Sequence, residues 1–590
     1  MKLLRFSFAC SRKVAVYAQM CNRYLDYAPL WITIGWCNGC FFLEAKGEQG
    51  ELETLAAAIG KDFLYSIWMT DARIEAVDSR IGGRIPLKTR TVIGPFCQHC
   101  HPLFADNQSP QFGQTDLACP VCHGEQHPSA AISFADIQGF AQQLREQGEV
   151  TLAVGGHRTT LRMLPFTDAA PQRAHVLVCN PNRLAANFSA EHHHVMALSS
   201  VEKPVVTLFA KPSSLQHPIT QTLYGVRFAW HRALSVLAEI LRQQGVDYLF
   251  YRTDAPQLSV AWVANQWSEC DVDAAGSVPA PFAGLKAPLH DSATVRGLQA
   301  DWHKNIVTFA LSAPSRDTSD RTTHALCALH AGSIESDVWR HQAVIYFSNQ
   351  SPGQLVVLDP RLNPEVFFRL RPLPQTGQQW WQALETQGRH DFLSRFSARF
   401  PDDTAQLVGM HFTGPRDNLT TLFAACACVM GLATTEQSVQ QLADRVIAAA
   451  MSFHGKNAHR IDIGFDESLD DNQESNVSIS GLDFYQTLAS VMAFRLATDG
   501  DDASVPKLAF GIMDSLADHL ATWIEHLDGK HGIEQVVLAG NEMTNECLAQ
   551  RLAVRVGKNF PLFANRRLAL DSSNLSVGAL LLKQRRGRGW

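Results

Sequence analysis

Two Cys-x-x-Cys pairs, Cys97/Cys100 in "CQHC" and Cys119/Cys122 in "CPVC", stand eighteen intervening residues apart. Two thiolates separated by two residues converge on one face of a metal ion, and a second such pair completes a tetrahedron. The spacing reads as a zinc site. Zinc accepts thiolates without redox activity, and a closed four-sulfur shell leaves no position for a substrate, so the expected role is structural. His99, His101 and His123 lie inside or beside the pairs and could each replace one sulfur. A third pair, Cys37/Cys40 in "WCNGCF", is followed by the extended run "FFLEAKG" rather than by the helix that would lower a thiol pKa. That spacing is read as coincidence.

The chain around these cysteines has 590 residues, beyond the length at which one core keeps growing, so about three to five domains are expected. Hydrophobic residues make up 46 % and charged residues 18 %, a packable composition. A formal charge of -6 gives no field that would draw nucleic acid or a membrane surface. Only the tail "KQRRGRGW" is locally basic, and it reads as a solvated terminus. Charges interrupt the N-terminus before a signal-like apolar core forms, and no apolar window is long enough for a membrane span. The expected location is the cytoplasm. Most of the fourteen cysteines stand alone, as reduced thiols with packing roles would.

The elements that must position the cysteines follow from periodicity. Residues 1–90 read as a small α+β unit in the order β-α-β-β-α-β: "LLRFSFA", "KVAVYAQMCNRYL", the extended "LWITIGWCNGCFFLEAKG", "QGELETLAAAIGKDF" and "DARIEAVDSR". Residues 91–130, rich in His, Pro, Asp, Gln and Gly, have little with which to build a core. Residues 131–265 read as an α/β domain, with strands at "HVLVCNP", "KPVVTLFAK" and "VDYLFYRTD" and a helix at "HRALSVLAEILRQQG". The Ala/Gly/Pro-rich stretch Cys270 to Pro288 makes a boundary. A larger α/β region, 289–590, follows, with strands at "NIVTFALSA", "AVIYFSN", "LVVLDP" and "IEQVVLAG" and helices at "NLTTLFAACACVMGL", "SVQQLADRVIAAAMSFHG" and "GIMDSLADHLATWIEHL".

This order resembles the HypF family of hydrogenase-maturation carbamoyltransferases over nearly the whole chain. "GWCNGCFFLEAKG" is similar to that family's acylphosphatase strand, and "LREQGEVTLAVGGHR" to its YrdC-like segment. "RPLPQTGQQWWQAL", "NLTTLFAACACVMGL", "VVLAGNEMTNECLAQRL" and "LDSSNLSVGALLL" resemble successive segments of its transferase domain. The resemblance implies a ferredoxin-like (acylphosphatase-like) domain over 1–90 and a zinc-binding knuckle over 91–130. It further implies a YrdC-like α/β domain over 131–265 and a TsaD-type, actin-like α/β domain over 289–590. It also implies an activity: carbamoyl phosphate and ATP give carbamoyl adenylate, and the carbamoyl group passes to a C-terminal cysteine of a partner protein, on the way to the cyanide ligands of nickel–iron hydrogenase.

The residues such chemistry needs are largely replaced. The anion loop reads "FACSRKVAVYAQ", without glycines, leaving Arg12 or Lys13 for charge and Asn38 near the water-orienting position. Of the basic run that should neutralise ATP, Arg173 and His175 remain, and Thr253 and Asp254 stand where a Ser-x-Asn turn is expected. Gly155 and Gly156 of "VGGHR" survive as candidate cofactor-binding residues, and a Gly-Gly pair is also an ordinary turn. The transferase metal cluster shrinks to His324, with His330 six residues on, and Asp571 matches the distal acid although its flanking glycines are Ser572 and Ser573. Asn541 replaces a glycine, and "VIYFSNQSPGQ" lacks an acidic nucleotide loop. His192 to His194 are read as a loop. His324 and Asp571 are the catalytic candidates, and zinc at the four cysteines is the expected cofactor. Whether ATP binds is left open.

Two functions follow from the resemblance. One is a pseudoenzyme: an accessory or scaffold protein of hydrogenase maturation or assembly, partnered by a maturation factor or a hydrogenase precursor. The other is an active carbamoyltransferase whose site residues have moved. In both, the scaffold outlives individual site residues because core patterning and chemistry are set by different positions.

Overall fold

The computed structural model describes residues 2–88, 96–119, 121–122, 132–166, 173–211, 223–270, 279, 281–283, 289–312, 320–433, 438–455, 457–466, 481–498 and 501–586. His123 and most of the 270–288 boundary lie outside them. The chain forms two compact units. One holds the residues up to Ser259, and the other holds Val260–Trp590 together with Ala169–Arg173 and Gln221–Leu223. No helix among the described residues is long and apolar enough to cross a membrane.

The first unit opens with β1 (Lys2–Cys10), α1 (Ala15–Tyr24), β2 (Ile32–Cys37), β3 (Cys40–Gly47), α2 (Gln49–Asp62) and β4 (Met69–Ala76). The sheet order is β2-β3-β1-β4 with all pairs antiparallel. Alternation along β1 sends Phe6 and Phe8 inward, where Phe8 stacks on Phe63 at 4.3 Å and Tyr17 meets Phe41 edge-on. The extended run that supplies the two central strands of that order is a hairpin. Asn38 and Gly39 have φ of 50° and 78°, the left-handed pair that a two-residue turn requires, so Cys37 and Cys40 face each other across it. The spacing of that third Cys-x-x-Cys is thus set by the turn.

A short helix α3 (His101–Ala105) follows the first cysteine pair. The α/β part continues with α4 (Phe134–Gln147), β5 (Glu149–Val154), β6 (His157–Arg162), β7 (His175–Val178), α5 (Leu184–Asn187), β8 (Phe188–Ser189), α6 (His192–Ser199), β9 (Val205–Ala210), β10 (Leu223–Arg227), α7 (Arg232–Gln243) and β11 (Tyr248–Thr253). Ser133 caps α4 by accepting from the Asp136 N–H, and Gly148 ends it at φ 75°. Its strands order β9-β10-β7-β11-β6-β5, with β8 beside β9. His192 to His194, read as a loop, open α6 instead: Glu191 and His194 form a reciprocal cap that the sequence pattern does not advertise.

The second unit starts with the hairpin β12 (Ser259–Val263) and β13 (Gln266–Glu269), then β14 (Phe282–Ala283), β15 (Ser292–Val295), β16 (Leu298–His303) and β17 (Ile306–Leu311), the last four forming a sheet of order β14-β17-β16-β15. After α8 (His324–Ser336) come β18 (Gln342–Ser348), β19 (Ser351–Leu358) and β20 (Pro364–Arg369). Then follow helices α9 (Gly377–Thr386), α10 (His390–Arg399), α11 (Pro401–Gly409), α12 (Leu419–Val429) and α13 (Val439–Met451). The rest is β21 (Gly464–Asp466), β22 (Gly481–Asp483), α14 (Phe484–Ala497), α15 (Val505–His531), β23 (Gln535–Ala539), α16 (Glu546–Arg555), β24 (Leu562–Phe563) and α17 (Ser573–Arg586). The main sheet orders β20-β19-β18-β23-β24, with β18, β23 and β24 parallel and β18, β19 and β20 antiparallel. β18 and β19 are buried along their whole length, as strands covered on both faces are.

Helices α8 and α17 pack against each other through Gly578, where an added Cβ would lie 1.8 Å from the Cys327 carbonyl oxygen. Backbone cannot swing away as a side chain can. Gly578→Ala is expected to cost about 1–3 kcal/mol, read as a lower urea midpoint; an unchanged midpoint would mean that the helices part freely.

Candidate functional site

The four cysteines converge. The Sγ of Cys97 lies 3.9 Å from that of Cys100 and 3.7 Å from that of Cys119, and the Sγ atoms of Cys100 and Cys122 are 3.7 Å apart. A tetrahedron with metal–sulfur bonds of ~2.3 Å has edges of ~3.8 Å. The turn that achieves this is local: His101 N–H donates to the Cys97 carbonyl at 2.9 Å, and Cys97 N–H donates to Cys100 Sγ at 3.3 Å. Sulfur–sulfur hydrogen bonding, chiefly with Cys100, draws the Cys119 thiol well below its ordinary pKa and drives Cys122 well above. The cluster shares protons where a cation would replace them. The donor set fits a thiophilic, tetrahedral ion.

The two described histidines beside the pairs have other neighbours. His99 Nε2 lies 2.9 Å from an Asp62 carboxylate oxygen, while His101 sits beside the rings of Phe96 and Phe104, where burial lowers its pKa to about 4. A cavity of about 500 Å³ opens beside the cluster, with Met20, Val201 and Phe228 among its walls. Of the cations lining it, Arg242 is held by Glu239 at 2.6 Å and Lys203 is pushed down by burial to about 8. A polyphosphate needs several charges neutralised together. This lining does not supply them.

At the start of the candidate anion loop, Cys10 N–H bonds the Gly39 oxygen and Ser11 N–H the Trp68 oxygen, each at 2.8 Å. The Arg12 guanidinium stacks over the Trp68 ring at 3.9 Å, and Lys13 Nζ donates to the Lys88 carbonyl at 3.4 Å. Asn38 is a hairpin-turn residue. Two N–H groups at the start of the loop and both of its cations are thus engaged by neighbouring segments.

In the α/β part, Gly155 and Gly156 form the two-residue turn between β5 and β6, with φ of 59° and 83°, and a Cβ on either would meet nothing within 4 Å. Turn geometry accounts for both glycines without a close ligand approach. Arg173 is taken by Asp444 through two hydrogen bonds, at 2.9 and 2.8 Å. Thr253 bonds Thr159 at 2.9 Å, and Asp254 lies 3.4 Å from His157. His175 Nδ1 meets Gln257 at 3.3 Å, and burial, reinforced by Arg227, lowers its pKa to about 4. Arg227 was missed in the sequence. It is 7 % exposed, its Nε donates to the Lys203 carbonyl at 2.6 Å, its Cζ lies 4.4 Å from the Trp230 ring centroid, and its Nη1 is buried without a hydrogen-bond partner. A lone Arg ending the apolar run "LYGVR" was the available signal.

The second unit brings the two catalytic candidates into one buried network. His324 Nδ1 lies 2.6 Å from Ser351 Oγ, and Ser351 also bonds Tyr346. Tyr346 donates to Asp571 Oδ1 at 2.6 Å, Ser348 donates to Oδ2 at 2.7 Å, and Arg296 Nη1 lies 2.9 Å from Oδ2. Burial and Asp571 drive the Tyr346 pKa well up, so it stays a donor. Asp571, fully buried, has both oxygens committed and its charge met by a guanidinium. His330 lies in the core of α8, its pKa lowered by burial to about 3 and its Nδ1 without a hydrogen-bond partner. These residues do not fit a divalent metal. The carboxylate already accepts from Tyr346, Ser348 and Arg296, whose cation meets its charge, and the second histidine is outside the network.

The loops beside this network are also closed. Asn349 N–H donates to Asn541 Oδ1 at 3.0 Å, and Asn541 Nδ2 donates to Asn349 Oδ1 at 2.8 Å. Gly540 precedes, at φ 97° with a Cβ position 1.9 Å from the Phe347 oxygen, so only glycine fits. Glu542 accepts from Leu419 N, Thr420 N and Thr420 Oγ1 at the start of α12, and burial raises its pKa to about 7 against those bonds.

Fold and site together define a multidomain α/β protein with a four-cysteine cluster. Residues 422–579 match the family model described as Carbamoyltransferase, Kae1-like Domain, second subdomain. The fold matches the crystal structure of full-length HypF in the phosphate- and nucleotide-bound form with a TM-score of 0.61 and 11 % identity, covering 100 % of this chain and 98 % of that one. It matches the crystal structure of T. kodakarensis HypF with a TM-score of 0.56 and 12 % identity, covering 100 % and 99 %. Protein HydE of Wolinella succinogenes is 24 % identical over 247 residues, 41 % of this chain and 41 % of its own, so the match spans less than half of that relative. The chain is HypF-like in fold from end to end.

Proposed function

We propose that the chain is an accessory protein of nickel–iron hydrogenase maturation or assembly, a HypF-like scaffold in a cytoplasmic setting. It binds a maturation factor or a hydrogenase precursor, and its inherited catalytic sites are degenerate. Its parts are an acylphosphatase-like domain over 1–90, a knuckle over 91–130 stapled by structural zinc at Cys97, Cys100, Cys119 and Cys122, a YrdC-like domain over 131–265 and a transferase-like domain over 289–590. The observation that carries the reading is the Arg296–Asp571 pair: a guanidinium meets the acid that a transferase metal would need. The engaged cations of the anion loop and the Asn349–Asn541 pair support it from two other sites.

One observation favours the rival, an active carbamoyltransferase using carbamoyl phosphate and ATP: Arg227 Nη1, buried and unpartnered, is a donor that an anion would satisfy. ATP–pyrophosphate exchange in the presence of carbamoyl phosphate separates the two. The scaffold reading expects exchange at background. Robust exchange, abolished by Arg227→Met or by substitutions around Gly155, would establish the rival instead.

A further inference from the structure

Arg232 is the first residue of α7, at the helix end where the backbone dipole disfavours a cation, yet it is only 2 % exposed. Helix stability therefore does not explain it. Its Nη1 donates to the carbonyls of Thr115 at 3.1 Å and Leu117 at 2.5 Å, and its Nη2 donates to Cys100 Sγ at 3.7 Å and Cys122 Sγ at 4.0 Å. The Cζ lies 5.2 Å from the Phe104 ring centroid. One guanidinium thus grips the loop between the cysteine pairs and reaches one sulfur of each pair.

The charge balance gives this a purpose. Four thiolates around a divalent ion leave a net charge of about −2. Cys100, Cys119 and Cys122 sit in a hydrophobic cluster with Leu234 and Leu237 of α7, where uncompensated charge is expensive. Arginine suits the place because its planar fork spreads donors over several acceptors and its charge cannot be lost. The pairing spans 132 residues of sequence, from Cys100 to Arg232.

We propose that Arg232 is the countercharge of the cysteine cluster, a positioning residue that sets how tightly the metal is held and ties the knuckle to the start of α7. The inference rests on reading the cysteines as a zinc site. Outer-shell partners of metal ligands are worth about 10–100-fold in affinity.

The test uses the full-length protein: zinc content at purification, zinc release to a chromophoric chelator, and the charge-transfer spectrum of the cobalt-substituted form. Arg232→Gln is expected to release zinc about 10–100-fold faster, with the thiolate-to-cobalt bands moved to lower energy because the sulfur lone pairs no longer face a guanidinium. Arg232→Lys, which keeps the charge, should stay within several-fold of wild type. Release from R232Q at the wild-type rate, or equal loss in both variants, would overturn the proposal. Should R232Q not fold, R232K decides alone: retention near wild type supports the countercharge, and loss of tenfold or more from a folded protein overturns it. Wild-type protein without zinc would instead sink the zinc reading itself.

Discussion

Arg296→Met is expected to destabilise the second unit by about 3–5 kcal/mol, the cost of leaving a buried carboxylate without its partner. Asp571 is completely buried and Arg296 is its charge partner at 2.9 Å, with Tyr346 and Ser348 able to donate hydrogen bonds but not charge. Arg296 also donates to the Asp571 main-chain oxygen at 2.9 Å, so the same substitution strips a second acceptor. Replacing both members is a different experiment. R296M combined with Asp571→Leu removes the charge with its partner and should recover much of the loss, because a buried pair exchanged for apolar groups of similar volume is often neutral. Urea unfolding of the two single variants and the double variant measures the coupling. A single R296M variant within 1 kcal/mol of wild type would show that the acid is not held by this cation, and the case for a retired metal site would lose its main support.

Loss of the cluster's metal should have the other large effect. Wild-type protein should contain about one zinc per chain by elemental analysis, and Cys119→Ser should contain almost none. Apart from the Arg232 contacts, the segment has only a small apolar core of its own. Between the cysteine pairs its buried apolar side chains are Phe104 and Ala105. Structural zinc contributes binding free energy of about 10–16 kcal/mol in small peptides, and that free energy is folding free energy. Chelation or C119S should therefore open residues 97–122 to limited proteolysis and lower the thermal midpoint of the first unit. A zinc-free wild type, or a C119S variant as protease-resistant as the parent, would refute the staple.

The two results differ in how far the sequence announces them. The β-α-β-β-α-β order of the first domain follows from alternation and helical period, and the cysteine cluster follows from spacing alone, because both are local patterns. The Asn-Gly pair that turns between the two central strands is a local signal of the same kind. The partners of the candidate site are not local. Arg296 is 275 residues from Asp571, and neither position carries a pattern that names the other. Arg227 and Arg232 read as ordinary basic residues until burial singles them out. His324 and Asp571 were found through family position, but whether they do chemistry depends on Ser351, Tyr346 and Ser348, which only folding brings beside them.

The amide pair between Asn349 and Asn541 has a consequence for how this chain can change through descent. The Asn541 side chain accepts from the Asn349 main-chain N–H and donates to the Asn349 side-chain oxygen, across 192 residues of sequence, and the Gly540 before it allows no other residue. Replacing Asn541 strands the Asn349 N–H and side-chain oxygen, and replacing Asn349 strands the Asn541 amide N–H, so the two should vary together or not at all. Lineages that lost the pair on one side would need a matching change on the other, and among related chains those paired changes would trace when the loops came to hold each other.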